Sequence, residues 1–220
     1  MSRICYDSVN PAVLARVPIG AKRLLDIGCG GGGLGATLKQ RQNCAVTGVT
    51  YNAEEAAIAR AVLDDVMVAD LNDYTLDGMG PFDCVICSHV LEHLIDPGKL
   101  LARLRPCLSA DGVLIVALPN ILFWRQRLQF LRGRFRYTTG GIMDDTHLRF
   151  FDWSSAAELL DSAGYRIIER AADGGLPQPL FRRLLPKVAA SIDAAACSML
   201  PGFFGWQFVL VATPTSRAAS

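Results

Sequence analysis

Along the first 120 residues, short unbroken apolar runs alternate with segments whose apolar positions recur at helical spacing. The runs are Arg23–Ile27, Cys44–Val49, Val66–Ala69, Asp83–Cys87 and Val113–Leu118; between them lie Leu34–Arg41, Glu54–Leu63, the short Thr75–Asp77 and Pro97–Leu104. This rhythm predicts parallel strands joined by crossover helices. The continuous apolar run from Val113 to Leu118 suits a strand covered on both faces. Pro97 stands where proline favours a first helical turn. After Pro119-Asn120 the pattern breaks, and residues 121–151 are rich in aromatics and arginine, as expected of an insertion over the sheet edge. A helix is expected over Ser154–Ala163, with Ser154 as cap and Gly164 as stop. Two more strands, Tyr165–Arg170 and Trp206–Ala212, flank a helical stretch at Leu180–Met199.

Composition narrows the picture. The 220 residues suit one domain, with residues 1–20 as an N-terminal helical segment. Hydrophobic residues make up 51% and charged residues 20%, enough for a sizeable core and far from a disordered composition. A formal charge of +1 offers no global attraction for nucleic acid, so no stable nucleic-acid partner is expected and any basic patch must be local. Met1–Asn10 lacks an apolar run of leader length, and Ala194–Ala212 is interrupted by Pro201, Gly202, Gly205 and Gln207, so neither an export signal nor a transmembrane span is expected. Seven irregularly spaced cysteines read as reduced cytoplasmic thiols. Cys84 and Cys87 form a CxxC within a strand, where residues three apart face opposite sides and cannot share a metal.

Candidate chemistry begins at Leu24-Leu25-Asp26-Ile27-Gly28-Cys29-Gly30-Gly31-Gly32-Gly33-Leu34-Gly35, a strand, a glycine turn and a helix start. Such a turn lets a nucleotide-like ligand approach the backbone and the helix N-terminus. Gly28, Gly30 and Gly33 also satisfy GxGxxG, which keeps a nicotinamide or flavin enzyme open.

Asp26-Ile27-Gly28-Cys29-Gly30 resembles the first motif of class I S-adenosylmethionine-dependent methyltransferases. The resemblance implies that Asp26, Gly28, Cys29 and Gly30 serve the amino-acid end of the cofactor. Asp70-Leu71 looks like the pair that meets the adenine, and the stretch from Phe82 to His93 resembles the fourth-strand motif, whose Ser88 and His89 would border the cofactor. Gly205–Ala212 is similar to the family's closing strand, antiparallel between the fifth and the sixth. The implied fold is α/β: a doubly wound, Rossmann-like, mostly parallel seven-stranded sheet with an antiparallel last strand and a lid insertion after strand five. One position departs from the pattern. Where the family has an acid for the ribose hydroxyls, this chain has Thr50, so that Thr50, Asn52 or Glu54 must substitute, with Tyr51 available to stack on adenine.

The three histidines, His89, His93 and His147, all fall in loops that this fold puts at the carboxyl edge of the sheet. A hydroxyl acceptor needs its proton removed, and histidine suits that task, so His147 and then His93 are the candidate catalytic residues. His89-Val90-Leu91-Glu92-His93 also spells HxxEH, but Asp96-Pro97 leaves no room for the long helix of a zinc peptidase, and no metal is expected. Asp144–Phe151 resembles a stretch of bacterial small-molecule methyltransferases, some associated with cell-surface glycans, and more distantly of quinone-biosynthesis O-methyltransferases and the methionine-biosynthesis W proteins. That resemblance makes Arg149 a candidate for gripping an acidic substrate group, and Glu92 and Trp124 are further candidate substrate-binding residues. Arg125, Arg127, Arg132, Arg134 and Arg136 occur with no acid between Gly112 and Met143, beside Leu122, Phe123, Leu128, Phe130 and Leu131. That strip reads as an amphipathic lid able to meet an anionic acceptor or a membrane surface. The expected activity is methyl transfer from S-adenosylmethionine to a small-molecule or lipid- or glycan-linked acceptor, with oxygen favoured. The alternative is a non-catalytic S-adenosylmethionine-binding module that assists a partner enzyme.

Overall fold

A computed structural model describes residues 9–73, 76, 78–178 and 183–215. The strands are β1 (Arg23–Ile27), β2 (Ala45–Thr50), β3 (Asp65–Val68), β4 (Phe82–Ser88), β5 (Leu108–Pro119), β6 (Tyr165–Gly174) and β7 (Gly205–Pro214). They form one sheet in the order β3-β2-β1-β4-β5-β7-β6. The first five run parallel, and β7 inserts antiparallel between β5 and β6, so Val116 pairs with Leu210 and Ala171 with Val209. The helices are α1 (Pro11–Leu14), α2 (Gly33–Arg41), α3 (Ala53–Ala59), α4 (Pro97–Leu104), α5 (Trp124–Leu131), α6 (Trp153–Ser162), α7 (Pro186–Met199) and α8 (Pro201–Phe204).

Both sheet faces are buried, which is why the central strands read as continuous apolar runs. One face packs Leu25, Ile27, Val85 and Cys87 against Leu100, Leu104 and Leu160 of α4 and α6. The other packs Leu24, Cys84 and Ile86 against Leu38 and Ala56 of α2 and α3. Cys84 and Cys87 lie on opposite faces, as the strand period requires.

Several boundaries differ from expectation for local reasons. Among the described residues of the N-terminal segment, from 9 onward, only Pro11–Leu14 is helical, started by Asn10, whose side chain accepts from the Ala12 and Val13 amides. The helix after the insertion is capped by Asp152 rather than Ser154: Asp152 accepts from the Ser154 and Ser155 amides, while Ser155 returns a bond to the Asp152 amide. This reciprocal capping box satisfies amides that a lone serine would leave open. Gly164 ends that helix at φ 80°, where a side chain would be strained. Of the helix expected over Leu180–Met199, Pro186–Met199 is helical as α7, and residues 180–182 lie outside the described residues. Of the short helix expected at Thr75–Asp77, Thr75 and Asp77 lie outside the described residues. Among the described residues no helix is long and apolar enough to cross a membrane.

Candidate functional site

Strands β1, β2 and β4 end together at the carboxyl edge of the sheet, where side chains from the following loops can converge without belonging to the core. The Gly28 and Cys29 amides both donate to the Val49 carbonyl, folding the turn after β1 across β2. Gly28 has φ 77°, and a Cβ there would stand 2.3 Å from Val90 Cγ2, so close packing as well as conformation demands glycine. Its backbone remains exposed while Asp26, beneath it, is buried. Burial pushes the Asp26 carboxyl up to about 7. Cys29 Sγ turns inward toward Gly48, leaving only the Cys29 backbone at the edge; burial, with Asp26 and Glu55 nearby, pushes its thiol up to about 12.

At the end of β2, the Thr50 hydroxyl donates to Glu55 Oε2 at 2.8 Å. Helix α3, capped by Asn52, carries Glu55 on the side facing the strand end, whereas Glu54 is exposed. Tyr51 is 67% exposed, so its ring packs on nothing that would make it a core aromatic. Asp70 is exposed and accepts at Oδ1 from the Asn72 amide and side chain, while Leu71 is buried behind it.

After β4 the chain makes a short 3-10 turn, Leu91–His93, not a long helix. His89 sits at φ 55°, an unusual conformation for a residue with a side chain. Its Nδ1 lies 3.2 Å from Glu92 Oε1 and its Nε2 2.8 Å from Gln207 Oε1, with the ring stacked on Trp206. The Gln207 amide is oriented by donation from Nε2 to Asp173 Oδ2 and by Asn10 Nδ2 donating to Oε1. Both His89 nitrogens therefore donate. Burial opposes the charge, but the bond to and the charge of Glu92, with the Gln207 oxygen, outweigh it and hold the His89 pKa above its ordinary value. Ser88 receives a long contact from Asn10.

His93 and His147 meet edge to face with ring centroids 4.8 Å apart. His93 Nδ1 lies 3.0 Å from the Thr146 hydroxyl, which itself donates to Asp144 and so must accept from the ring. His147 Nδ1 lies 3.1 Å from the Ile142 carbonyl and is its donor. His147 is buried, and burial holds its pKa below the ordinary histidine value against the opposing charge of Glu92. Glu92 is fully buried beside both rings. Its carbonyl accepts from the Leu148 and Arg149 amides, which ties the insertion to the 3-10 turn.

Arg149 is engaged with the protein itself, donating from Nε and NH2 to the Ile95 carbonyl. Trp124 opens α5 and donates from Nε1 to the Gly175 carbonyl. Helix α5 buries no residue, and together with Phe203 of α8 its Trp124, Leu128 and Leu131 line an apolar groove of about 610 Å³. Arg127 also lines it, its guanidinium lying over the Phe203 ring.

A family model described as "Methyltransferase domain" matches residues 6–170. The chain belongs to the class I S-adenosylmethionine-dependent methyltransferases. Over 123 residues it is 32% identical to the ubiquinone biosynthesis O-methyltransferase of Xylella fastidiosa strain 9a5c, an alignment covering 51% of this chain and 50% of the relative. The chain thus spans about half the length of the first curated relatives it matches. The protein of the same name from Xylella fastidiosa strain M23 is 32% identical over 207 residues, covering 88% of this chain and 82% of that relative. A methyltransferase structure from Archaeoglobus fulgidus superposes with a TM-score of 0.64 at 19% identity, covering 92% and 93% of the two chains.

The methyltransferase's cofactor is S-adenosylmethionine. The carboxyl edge suits it: an open glycine backbone, a helix start at Gly32 with no side-chain cap, an exposed tyrosine ring and a carboxylate at the end of β2. Sequence reasoning missed Glu55, Thr146 and the trio Asn10, Asp173 and Gln207. Gln207 carried a signal, a polar residue inside an apolar closing strand; the others carried none, because their partners lie far away along the chain.

Proposed function

We propose that this methyltransferase moves the methyl group of S-adenosylmethionine to a hydroxyl oxygen of a small acceptor held between the β4 loop and the insertion. The observation that carries the reading is the convergence of His93 and His147 beside the end of β4, with each Nδ1 committed to a fixed oxygen and each Nε2 left for the acceptor. Relatives named ubiquinone biosynthesis O-methyltransferases support oxygen as the target atom. The apolar groove beside α5 and its arginines favour an acceptor with an apolar tail, drawn from or near an anionic lipid surface.

When bound, the cofactor supplies a sulfonium-activated methyl group. Asp26, Gly28, Cys29 and Gly30 would hold its amino-acid end through backbone and buried charge, and Asp70 and Leu71 its adenine, with Tyr51 stacking. Glu55, oriented by Thr50, would accept from the ribose hydroxyls, so the missing strand acid is replaced from the next helix. Such a replacement would weigh against the non-catalytic accessory module, whose main support is the missing strand acid. His147 and His93 would receive the acceptor's hydroxyl at Nε2, an arrangement that aligns the oxygen and draws off its proton. Ser88 and His89 would border the reacting methyl, Glu92 fixes His89, and Arg149 supports the pocket by clasping Ile95.

The test is incubation with S-adenosylmethionine and a panel of phenols with and without isoprenoid tails, following S-adenosylhomocysteine and the methyl ether. Tailed phenols are expected to react, with sedimentation onto anionic vesicles that falls as salt rises. Replacing His147 with alanine is expected to lower kcat about 10²-fold or more. Tight cofactor binding with no methylated oxygen product from any acceptor would support the accessory module instead.

A further inference from the structure

We propose that Glu92, His93 and His147 form a binding site for one divalent transition-metal ion, built from the β4 loop and the insertion together. One ligand atom from each of the three residues lies within 4.8 Å of the other two. The HxxEH spacing alone would pair His89 with His93, but His89 is taken up by Glu92 and Gln207, and the third member, His147, comes from the insertion, next to Thr146, which meets His93 from 53 residues along the chain.

The unused atoms define the site. Glu92 Oε1 is bonded to His89, while Glu92 Oε2 is buried with no hydrogen-bond partner. His89 already meets the carboxylate at Oε1, but an unpaired second oxygen in a fully buried residue is costly, and a cation at Oε2 would supply the missing partner. His93 donates from Nδ1 to Thr146 and His147 from Nδ1 to the Ile142 carbonyl. Those bonds select the neutral tautomer with a lone pair on Nε2, the outer-sphere arrangement found around metal-bound imidazoles. The two segments are also held in register by the Leu148 and Arg149 amides on the Glu92 carbonyl.

Two imidazoles and one carboxylate suit Zn²⁺, Mn²⁺ or Fe²⁺ better than Mg²⁺, which prefers oxygen donors and keeps its waters. With metal–ligand bonds of about 2.0–2.2 Å, two donors at a tetrahedral angle stand about 3.5 Å apart, so side-chain rotation would have to draw the three groups, whose donor atoms lie within 4.8 Å of one another, together by roughly 1 Å. With the ion bound, both Nε2 atoms are ligands and the imidazoles no longer take the acceptor's proton; instead the three protein ligands leave coordination positions open for the acceptor oxygen, which the cation would orient and make easier to deprotonate to solvent. That role rests on the proposed O-methylation; ion binding does not.

The experiment uses the full chain stripped with a chelator and ¹⁵N-labelled in its three histidines. Titration with Zn²⁺ is expected to saturate at one equivalent and to shift the Nε2 resonances of His93 and His147 while the His89 nitrogens keep theirs. His147→Gln is expected to weaken binding at least tenfold in Zn²⁺ and Mn²⁺ calorimetry, with S-adenosylhomocysteine affinity unchanged as the check on folding. No histidine shift at saturating Zn²⁺, or binding undiminished in a His147→Gln chain that still binds S-adenosylhomocysteine, overturns the inference. Should that variant fail to bind S-adenosylhomocysteine, the wild-type resonances alone decide. A chain that binds the ion but methylates no oxygen acceptor overturns the proposed function and leaves the metal site standing.

Discussion

The Thr50 hydroxyl, at the end of the second strand, donates to the carboxylate of Glu55 on the following helix at 2.8 Å. A neutral strand residue thereby orients a charged helix residue toward the edge where a nucleoside would lie. Glu55→Gln is expected to raise the dissociation constant for S-adenosylmethionine about 10- to 100-fold, the worth of a charge-assisted hydrogen bond. Glu54→Gln, on the exposed side of the helix, should change it by less than about threefold. Isothermal titration of both variants checks this; equal effects would remove Glu55 from the ribose site.

Asp26 gives the protein a pH dependence of a definite sign. Its folded pKa, about 7, lies above the unfolded value near 3.8, so folding favours the protonated acid. The associated stability is complete below pH about 4 and is lost as pH rises through about 7. Without cofactor, Asp26→Asn should therefore gain on the parent protein by roughly 4 kcal/mol between pH 4 and pH 8. Urea titrations of both proteins across that range provide the comparison, and parallel curves would show that Asp26 is ionised at little cost.

Gly28→Ala combines a positive φ with a Cβ 2.3 Å from Val90 Cγ2. It should destabilise the fold by about 2–5 kcal/mol. Adding Val90→Ala relieves the clash but not the backbone strain, so the double variant should recover part of the loss. A double-mutant cycle from thermal denaturation reads that coupling directly.

Gln207 joins three distant elements, accepting from Asn10 and His89 and donating to Asp173. Gln207→Leu leaves those groups partnerless in a buried setting and should cost about 2–4 kcal/mol. Because Asn10 also caps α1, the Ala12 and Val13 amides should exchange faster with solvent in the variant. Unchanged exchange would mean that the cap stands without Gln207.

The sheet was legible in the sequence because a strand buried on both faces must be apolar throughout, as Val113–Leu118 is, and because glycine alone accepts the turn after β1. These are local demands, met by each segment for itself, and they identify the fold and the glycine turn at its carboxyl edge. Tertiary structure decided which polar side chains meet. Glu55 reaches the end of β2 only because α3 packs against β2, and Thr146 and His147 reach His93 only because the insertion folds back onto the 3-10 turn more than fifty residues earlier in the chain. Charge and hydrogen-bond partnership depend on distance in space, and no local periodicity encodes that distance.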